Sequence, residues 1–471
     1  MGEAVKANPA IFREYDVRGV SGRDLTPDVV RALGRALAAY AARKGERRLL
    51  VGRDCRTSSP GFRDALVEGM VAAGADVLDV GLVPTPVLYF AHFHFERPAG
   101  VMITGSHNPP DHNGFKMLVS KAALHGSEIQ ELKRMIAEDD YGPAPEAPGR
   151  VSEGDAIGPY RARVAGDVKL ARTDLRVVVD AGNGMGGPTA SALMKDLGLD
   201  PTLLYCDLDG TFPNHHPDPS DEHTLEALKR TVVETNADAG IAYDGDADRL
   251  GVVCLDGGKP RVLWGDELLI LFARAVLRAQ PGATVIGEVK CSQRLFDDIA
   301  KHGGKAIMWK VGHSLIKAKM RETGAALAGE MSGHIFFAHR YYGYDDAIYS
   351  SARLLEILAA APAGTTLAGL LADVPPAVNT PEIRVECPDE TKFDVVARAT
   401  EALKRRYPDA SVVDLDGVRI LWAGEGWGLL RASNTQPVLV MRFEAVDQER
   451  LEAVRARVEL AVTQARLNAS A

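Results

Sequence analysis

Hydrophobic and polar positions alternate between helical and strand patterns in the first third of the chain. Apolar residues recur every three to four positions over 27–45, which predicts a helix with Thr26 as its N-cap. The continuous apolar runs "RLLVG" (48–52) and "DVLDVG" (76–81) predict buried strands, with a second helix starting at Pro60 between them. Continuous apolar strands are typical of a sheet with helices on both faces, so we predict an α/β unit.

This pattern of strand, polar turn and helix restarts twice. "LRVVVDAGNG" (175–184) predicts a strand and a glycine turn, followed by a helix from about Gly187. "ATVIGEVKCS" (283–292) begins the third unit, with a helix from Ser292 and a further strand over 305–312. We therefore expect three consecutive α/β units.

The C-terminal part of the chain has a different pattern. A segment rich in proline and small residues at 363–382 is typical of a linker. One strand, one helix, a meander of three strands and a terminal helix from about Gln448 then predict a small α+β domain. A softer boundary lies near 150–160, where periodicity is lost. The predicted domains are 1–156, 157–262, 263–374 and 375–471.

Composition narrows the class of protein. The 471 residues suffice for about three or four domains, and 46% hydrophobic with 25% charged residues is typical of a globular protein. A net charge of -9 argues against a nucleic-acid partner. The five cysteines form no CxxC pair and indicate neither a zinc site nor a disulfide framework. We expect a cytoplasmic protein, because we find no signal-peptide core and no run near the roughly 18 apolar residues of a membrane helix.

The strongest chemical signal is "DGDADR", which lies between the apolar strands "AGIAY" and "LGVVC". Asp244, Asp246 and Asp248 alternate, so their oxygens can converge on one hard cation, and Mg²⁺ prefers such ligands. The spacing fails as an EF-hand calcium loop, because Arg249 takes its glycine position and Leu255 its glutamate position. The remaining alternative is a hairpin with solvated acidic residues.

A second signal is "ITGSHNP", which follows an apolar run and ends in two prolines. Gly105, Ser106 and Asn108 suit an ordinary turn, and they suit an exposed serine nucleophile equally well. Three carboxylates leave coordination positions open on a metal ion, so a phosphorylated Ser106 could supply a further ligand.

Two more loops carry polar residues that could bind a ligand. In "GEMSGH", Glu330 and Ser332 face one side of an extended segment and could bind neighbouring hydroxyls, unless the loop is only a glycine-rich turn. "RASNTQP" suits a phosphate as well as a plain turn. Its polar side chains include Arg431, Ser433, Asn434 and Thr435. Weaker basic candidates, beside strand ends or glycine turns, are Arg18, Lys116, Lys290 and His313.

The motifs "TGSHNP", "DGDADR", "GEMSGH" and "RASNTQP", in this order over the whole chain, resemble those of the α-D-phosphohexomutases. The form of the motifs is similar to the bacterial phosphomannomutase/phosphoglucomutase branch. The resemblance implies three α/β domains with mixed sheets and a smaller C-terminal α+β domain around a central cleft. It also implies that Ser106 carries a phosphoryl group.

The reaction implied by the resemblance interconverts hexose 1-phosphate and hexose 6-phosphate, with mannose and glucose as the hexoses. Phosphorylated Ser106 gives its phosphoryl group to the sugar, a hexose 1,6-bisphosphate turns over in the cleft, and the other phosphate returns to Ser106. The implied cofactors are Mg²⁺, bound by Ser106, Asp244, Asp246 and Asp248, and glucose 1,6-bisphosphate as activator. We expect hexose phosphates as ligands, no nucleic-acid or membrane partner, and a monomer.

The same resemblance implies roles for individual residues. Lys116 and His334 are candidates for proton transfer, and Arg18 would support the charge of the transition state. Glu330 and Ser332 would hold the sugar 3- and 4-hydroxyls. The polar residues of "RASNTQP" would bind the non-reacting phosphate, and closure of their domain would exclude water. The other implied substrate-binding residues are Tyr15, Arg249, Lys290, His313, Gly333 and His334.

Departures from the family pattern are small. Three alternative functions compete with the implied mutase activity. Ala247 stands where glycine is frequent, which is tolerated if its φ is negative, and Gln436 stands where a smaller residue is common. The alternatives are a phosphoglucosamine mutase, a metal-dependent serine phosphatase and a catalytically silent sugar-phosphate-binding protein. "GEMSGH" favours glucose and mannose phosphates over glucosamine phosphate. The phosphatase would need a second metal, for which the sequence shows no His/Asp cluster.

Overall fold

A computed structural model describes residues 5–434 and 436–469 as four sheets that follow one another along the chain. The first three sheets contain both parallel and antiparallel pairs, and the fourth is antiparallel. This arrangement confirms the predicted class of three mixed-sheet α/β units and a smaller α+β unit. The domain limits given above remain predictions.

The first unit places the serine motif where two interior strands of a mixed sheet end. Its elements are β1 (Val17–Val20), α1 (Pro27–Arg43), β2 (Arg48–Arg53), α2 (Ser59–Ala72), β3 (Asp76–Leu82), α3 (Thr85–His94), β4 (Ala99–Ile103), β5 (His112–Val119), β6 (Ala122–Ala123), α4 (Ser127–Ala137) and β7 (Val151–Glu153). The strand order is β1-β5-β4-β2-β3-β7, with β6 beside β5. Helix α1 begins where predicted, because Thr26 Oγ1 accepts a hydrogen bond from the Val29 N–H at 3.4 Å. The serine motif joins the antiparallel strands β4 and β5.

The second unit presents the acidic motif on a hairpin. Its elements are α5 (Ile157–Asp167), β8 (Val177–Asp180), α6 (Gly186–Asp196), β9 (Thr202–Leu204), α7 (Glu226–Thr235), β10 (Ala239–Tyr243), β11 (Leu250–Asp256) and β12 (Lys259–Leu263). The strand order is β12-β11-β10-β8-β9. "DGDADR" connects β10 to β11, which pair antiparallel, so the acidic residues lie at one end of the sheet.

The third unit carries "GEMSGH" between two short antiparallel strands. Its elements are α8 (Gly265–Ala279), β13 (Thr284–Glu288), α9 (Gln293–Lys301), β14 (Lys305–Trp309), α10 (His313–Thr323), β15 (Leu327–Gly329), β16 (Ile335–Phe337) and α11 (Ala347–Ala360). The strand order is β14-β13-β15-β16, and β15 pairs with β16. Helix α9 begins one residue after the predicted start, because Ser292 is its N-cap and its Oγ accepts from the Arg294 N–H at 3.2 Å.

The fourth unit is an antiparallel sheet with two helices. Its elements are β17 (Val378–Asn379), β18 (Ile383–Glu386), α12 (Lys392–Arg406), β19 (Ser411–Val413), β20 (Val418–Trp422), β21 (Gly426–Ala432), β22 (Val438–Ala445) and α13 (Gln448–Ala469). Strands β19 to β22 form a meander with one strand more than predicted, and "RASNTQP" joins β21 to β22.

The predicted linker at 363–382 is only partly a linker. Leu367 and Leu371 are buried in the large apolar core that the first three units share. A short 3-10 helix, Gly369–Leu371, carries the second of these leucines into that core. The prediction was wrong for this stretch because isolated leucines among small residues still bury apolar surface.

The hydrophobic cores separate the fourth unit from the rest. The fourth unit has its own core and touches the third through a small apolar cluster that includes Val289, Trp427 and Leu429. Buried Arg419 and Arg442 of the fourth unit also donate to backbone carbonyls of the third, so polar bonds hold this interface as well. Within the described residues, no helix has both the length and the apolar character needed to cross a membrane.

Candidate active site

Ser106 lies on the turn between β4 and β5 and is buried, with 2% of its surface exposed. Its φ is +50°, a left-handed backbone that residues other than glycine rarely adopt. Two bonds hold the turn: the Ser106 N–H donates to Thr104 Oγ1 (2.8 Å) and the Asn108 N–H to the Gly105 carbonyl (2.9 Å). Ser106 Oγ donates to Asp244 Oδ2 at 3.0 Å. The turn therefore directs the serine hydroxyl at the acidic loop.

The acidic loop between β10 and β11 buries three carboxylates close together. Oxygens of Asp244, Asp246 and Asp248 lie within 4.8 Å of one another. Asp244 Oδ1 accepts hydrogen bonds from the backbone N–H groups of Asp248 (3.0 Å) and Arg249 (3.1 Å). Burial and the two neighbouring carboxylates raise the pKa of Asp244 well above its ordinary value. Like charges at this spacing require a compensating cation.

The donor set of this loop fits a hard divalent cation. Asp246 Oδ1 is buried and has no hydrogen-bond partner, so a carboxylate oxygen is free for coordination. Carboxylate and hydroxyl oxygens are the ligands that Mg²⁺ prefers. The three aspartates could therefore hold a metal ion.

A second group of possible ligands lies beside the first, where the sequence had shown none. Asp248, His334 and Asp345 also bring donor atoms within 4.8 Å. However, the ammonium group of Lys317 donates to Asp345 at 2.7 Å and already neutralises that carboxylate. The group therefore resembles an internal ion-pair network more than an open metal site.

Lys116, on β5, supplies a cation to the acidic loop. Its buried ammonium group donates to Asp246 Oδ2 at 2.6 Å and to Asp248 Oδ2. Burial disfavours the charged form, but Asp246 and Asp248 outweigh it and raise the pKa of Lys116 above its usual range. Thr85 Oγ1 donates to the same oxygen of Asp246 at 2.5 Å. The first unit thus provides two donors to a loop of the second.

The "GEMSGH" loop packs its backbone against the acidic loop. Gly333 has a φ of +95°, and a Cβ there would lie 2.5 Å from the Leu250 carbonyl oxygen. His334 Nδ1 pairs with Glu330 Oε2 at 2.7 Å, and His334 Nε2 lies 3.2 Å from Asp248 Oδ1. Burial alone would lower the pKa of His334, but the two carboxylates raise it to about 9. The imidazole therefore links the sugar loop expected from the sequence to the carboxylates.

Arg249 connects the acidic loop to both neighbouring motifs. Its Nε lies 3.3 Å from His334 Nε2, and its Nη1 lies 3.3 Å from His107 Nδ1. Asp218 pairs with His107 at 2.6 Å and lies 3.9 Å from Arg249. Burial and Arg249 lower the pKa of His107 to about 4. Ser332 Oγ lies 3.4 Å from the Nδ1 atom of His334. Three motifs that are distant in sequence thus form one connected network.

The fourth unit reaches the same network through Tyr15. Asn434 Nδ2 donates to Tyr15 Oη at 2.8 Å, and Tyr15 Oη donates to the Val311 carbonyl at 2.9 Å. The next residue, Gly312, donates its N–H to Glu330 Oε1 at 2.7 Å. Contacts therefore run from "RASNTQP" through the first unit to "GEMSGH".

Two predicted substrate-binding cations, of which Arg431 is the one predicted to bind phosphate, each pair with a carboxylate. Arg431 Nε donates to Asp416 Oδ2 at 3.1 Å, and Lys290 Nζ donates to Glu382 Oε2 at 3.2 Å. Both side chains are largely buried, so only a ligand that enters the site can contact their charged groups. Thr435, predicted to act with them, lies outside the described residues.

The remaining predicted residues border the same network. Arg18 Nη1 donates to Asn108 Oδ1 at 3.0 Å, beside the serine turn. The His313 ring lies 5.7 Å from the His334 ring, centre to centre. Ser433 is buried in the "RASNTQP" loop. Arg18 and His313 therefore lie beside the connected network, and Ser433 lies in the loop that reaches it through Asn434.

Comparison with known proteins assigns this site to a family. The phosphoglucomutase/phosphomannomutase family models match the chain in order: alpha/beta/alpha domains I, II and III match 9–142, 159–257 and 264–378, and the C-terminal domain matches 382–461. The chain belongs to the phosphoglucomutase/phosphomannomutase family. This confirms the resemblance that the four motifs indicated, and with it the predicted enzyme class, a phosphohexomutase.

Individual relatives of this phosphohexomutase match it over nearly its whole length. A Pseudomonas putida phosphomannomutase/phosphoglucomutase is 47% identical over 448 residues, which cover 95% of this chain and 94% of that protein. A Neisseria meningitidis phosphoglucomutase is 45% identical and covers 94% of this chain and 95% of its own. A crystal structure of a family protein from Burkholderia thailandensis matches with a TM-score of 0.91 at 42% identity, covering 98% of each chain.

Several residues that contact the site of this phosphohexomutase do not stand in any of the four motifs. Thr85 contacts Asp246, and Asp218 contacts His107. Arg56 contacts the serine turn, and it follows a buried parallel strand, a position where ligand-site residues often occur. That position was the one usable signal. Thr85 is the first residue of α3 and Asp218 lies on a loop, and neither stands in a recognisable sequence pattern.

The expectation for Ala247 depended on a negative φ, and that condition is wrong. Ala247 has a φ of +61° and is fully buried within the acidic loop. A left-handed alanine costs roughly 1–2 kcal/mol relative to glycine. The closely packed walls of the loop hold the residue in this conformation, so the phosphohexomutase tolerates the methyl group at some cost in strain.

Proposed function

We propose that this phosphohexomutase interconverts the 1- and 6-phosphates of glucose and mannose through phosphorylated Ser106 and a hexose 1,6-bisphosphate. The observation that carries the proposal is the 3.0 Å contact of Ser106 Oγ with a buried cluster of three carboxylates. Glucose is common to the names of both relatives described above, and mannose appears in one of them. Both sugars are therefore proposed as substrates.

The acidic loop is the proposed cofactor site. Asp244, Asp246, Asp248 and an oxygen of phosphorylated Ser106 would hold Mg²⁺, which would neutralise charge on the phosphoryl oxygens. Lys116 adds a second positive charge beside the same carboxylates. Because these groups are buried, their electrostatic effect on a bound phosphoryl group is stronger than it would be in water.

The proposed transfer step conserves atoms and protons. The bond between Ser106 Oγ and phosphorus breaks while a sugar hydroxyl oxygen bonds to phosphorus. The hydroxyl loses one proton and Ser106 Oγ gains one. We assign proton transfer to Lys116 and His334: both are charged in the free site, so one of them gives a proton to Ser106 Oγ and then takes the proton that the sugar hydroxyl loses. Arg18 would support the charge of the transition state. The second half-reaction runs this step in reverse with the other phosphate of the bisphosphate, which also explains why glucose 1,6-bisphosphate would activate the enzyme.

The rest of the network would orient the sugar. Glu330 and Ser332 would bind the 3- and 4-hydroxyls. Burial raises the pKa of Glu330, but its bonds with His334 and the Gly312 N–H outweigh this and lower it, so the carboxylate is a charged acceptor. Four residues would bind the non-reacting phosphate: Arg431, Ser433, Asn434 and Thr435. The other proposed substrate-binding residues are Tyr15, Arg249, Lys290, His313, Gly333 and His334.

The test is ³¹P NMR of the protein with Mg²⁺ and a trace of glucose 1,6-bisphosphate. Glucose 1-phosphate, mannose 1-phosphate and glucosamine 1-phosphate are supplied in parallel, with the Ser106→Ala variant as control. We expect 6-phosphates of glucose and mannose from the wild type and none from the variant. Release of inorganic phosphate alone would instead identify a phosphatase, and turnover of glucosamine 1-phosphate alone would overturn the assigned sugars.

A further inference from the structure

Arg56 lies directly behind the serine turn and is fully buried. Its Nη2 donates to the carbonyls of Ser106 (2.8 Å) and Asn108 (2.6 Å). Its Nη1 donates to the carbonyls of Pro109 (2.5 Å) and His112 (3.0 Å). Three of the acceptors belong to the connection between β4 and β5 and the fourth to the first residue of β5, so the guanidinium bonds along the whole of this one turn.

The guanidinium is itself fixed on three sides. Asp54 Oδ2 accepts from Arg56 Nε and from the Gly105 N–H, both at 3.2 Å. The ring of Phe212, from the second unit, has its centroid 5.0 Å from Arg56 Cζ. A Cβ on Gly105 would lie 2.5 Å from the same Cζ atom, so the turn packs directly on the guanidinium plane. A lysine ammonium group cannot reproduce this planar fork of donors.

These contacts explain how Ser106 keeps an unfavourable backbone. A non-glycine residue with a φ of +50° persists only when its surroundings fix it. Arg56 holds the carbonyl side of the turn, while Ser106 Oγ on the other side lies 3.0 Å from Asp244 Oδ2. Because Phe212 belongs to the unit that carries Asp244, Arg56 also ties the turn to the unit of the acidic loop.

We propose that Arg56 is a positioning residue for phosphoryl transfer at Ser106. It acts through the turn and does not touch the substrate, and the assignment rests on the proposed function. Loss of the fork slows the transfer step and leaves substrate binding nearly unchanged. It also opens phosphorylated Ser106 to water. In that side reaction a water oxygen bonds to phosphorus, the bond to Ser106 Oγ breaks, a water proton passes to Oγ, and inorganic phosphate leaves.

The test compares Arg56→Lys with the matched variant Arg353→Lys. Arg353 is a buried arginine on α11, where it donates to Tyr349 Oη at 2.9 Å and lies 4.6 Å from the Phe337 ring centroid. We measure Tm, kcat and KM with glucose 1-phosphate, the inorganic phosphate released per turnover, and amide hydrogen exchange over residues 104–112. Arg56→Lys is expected to lower kcat by about 100-fold, the effect of a misplacement of about 1 Å, with KM nearly unchanged. It also releases more phosphate and speeds exchange in the turn, whereas Arg353→Lys lowers Tm only.

The proposal is overturned if both variants lose the same activity and stability, or if Arg56→Lys leaves kcat and turn exchange unchanged. If Arg56→Lys does not fold, Phe212→Leu replaces it, since this change removes the ring against the guanidinium and leaves the turn intact. A smaller loss of kcat at constant KM is expected, and no loss would contradict the proposal. Hydrogen exchange is independent of turnover, so a wild type inactive on hexose phosphates would refute the proposed function while the exchange data still decide whether Arg56 holds the turn.

Discussion

Most buried charged side chains in this site lie beside a side chain of opposite charge. Lys116 bridges Asp246 and Asp248, and His334 lies between Asp248 and Glu330. Asp244 has the weakest compensation, and its pKa is raised by burial and by the other carboxylates. A cation beside Asp244 would complete the balance of charge, which leads to a prediction about metal binding.

Asp244→Asn is expected to abolish stabilisation by Mg²⁺. Binding to the folded state raises the stability of the wild type by about 2.7 kcal/mol at a metal concentration 100 times Kd. The variant keeps the side-chain shape but loses one carboxylate. Thermal unfolding with and without MgCl₂ measures the difference. Asp256→Asn, at the exposed far end of β11, is the control and should retain the full shift. An unchanged shift in Asp244→Asn would place the metal elsewhere.

The sequence pointed to the residues that the proposed function places at the reaction more clearly than to the residues that surround them. Ser106, Asp246 and Glu330 stand in short motifs, in which residue type and spacing indicate a candidate role for each side chain. Arg56 and Thr85 act through contacts with residues distant in sequence, and no local pattern records such contacts.

At the scale of elements, close packing of loops determines which positions must be glycine. Gly333 and Gly324 both have a positive φ, of +95° and +66°. A Cβ on Gly333 would meet the Leu250 carbonyl at 2.5 Å, whereas a Cβ on Gly324 would have no neighbour within 4 Å. A substitution at Gly324 would therefore add backbone strain alone, whereas one at Gly333 would add strain and a collision between two loops.

Gly333→Ala is expected to lose both stability and activity. The collision with Leu250 displaces His334, and a displacement of about 1 Å lowers kcat by about 100-fold. Gly324→Ala, at the end of α10, should cost about 1 kcal/mol of stability and leave kcat unchanged. Chemical denaturation and initial rates measure both quantities. Equal kcat values for the two variants would contradict the role of the Gly333 contact.

Asp346 at the start of α11 is expected to make stability depend on pH. Tyr160 and Tyr341 donate to it at 2.9 Å, and the Tyr349 N–H donates to it at 2.8 Å. Burial outweighs these bonds and raises the pKa of Asp346 from 3.8 to about 7. The folded state therefore holds this proton more tightly, so its contribution to stability is present below about pH 4 and is lost as the pH rises towards 7.

Asp346→Asn should remove this dependence while keeping the helix cap. Relative to the wild type, the variant is expected to become more stable between pH 5 and pH 7, by up to about 1.4 kcal/mol of unfolding free energy per pH unit. Its Tm relative to the wild type should rise accordingly. Thermal unfolding of both proteins across this range is the measurement. A constant difference between the two proteins would show that Asp346 titrates normally.

The sequence predicted which segments are helices and strands, but it did not predict where segments that mix small and apolar residues become buried. The helix from Pro27 has a periodic apolar face and an N-cap, and two apolar runs flank "DGDADR" and form its hairpin. The stretch 363–382 was predicted as a linker because its composition is dominated by small residues, yet two leucines bury part of it. Burial is a property of the assembled molecule, which composition alone does not reveal.

At the scale of the whole molecule, the first three units share one core and the fourth packs separately. The motifs predicted the order of the units, but not how they meet, since this depends on contacts such as the one between Asn434 and Tyr15. The monomeric state, the cytoplasmic location and the absence of nucleic-acid partners remain predictions.

Tyr15→Phe is expected to weaken the link between the fourth unit and the rest. It removes the hydrogen bonds to Asn434 and to the Val311 carbonyl, each worth about 1 kcal/mol. If closure of the fourth unit completes the substrate site, KM for glucose 1-phosphate rises about five-fold or more. Tyr141→Phe, on the surface of the first unit, is the matched control and should leave KM unchanged. Identical KM values in the two variants would refute a role for this contact in binding.

The most direct test of the account follows one labelled phosphoryl group. The protein is labelled with ³²P by glucose 1,6-bisphosphate, freed of sugar, and chased with unlabelled glucose 1-phosphate. The account predicts label on Ser106 before the chase and its transfer to hexose bisphosphate and hexose 6-phosphate afterwards, with no labelling of Ser106→Ala. Label that resides on another residue, or that leaves Ser106 only as inorganic phosphate, would contradict it.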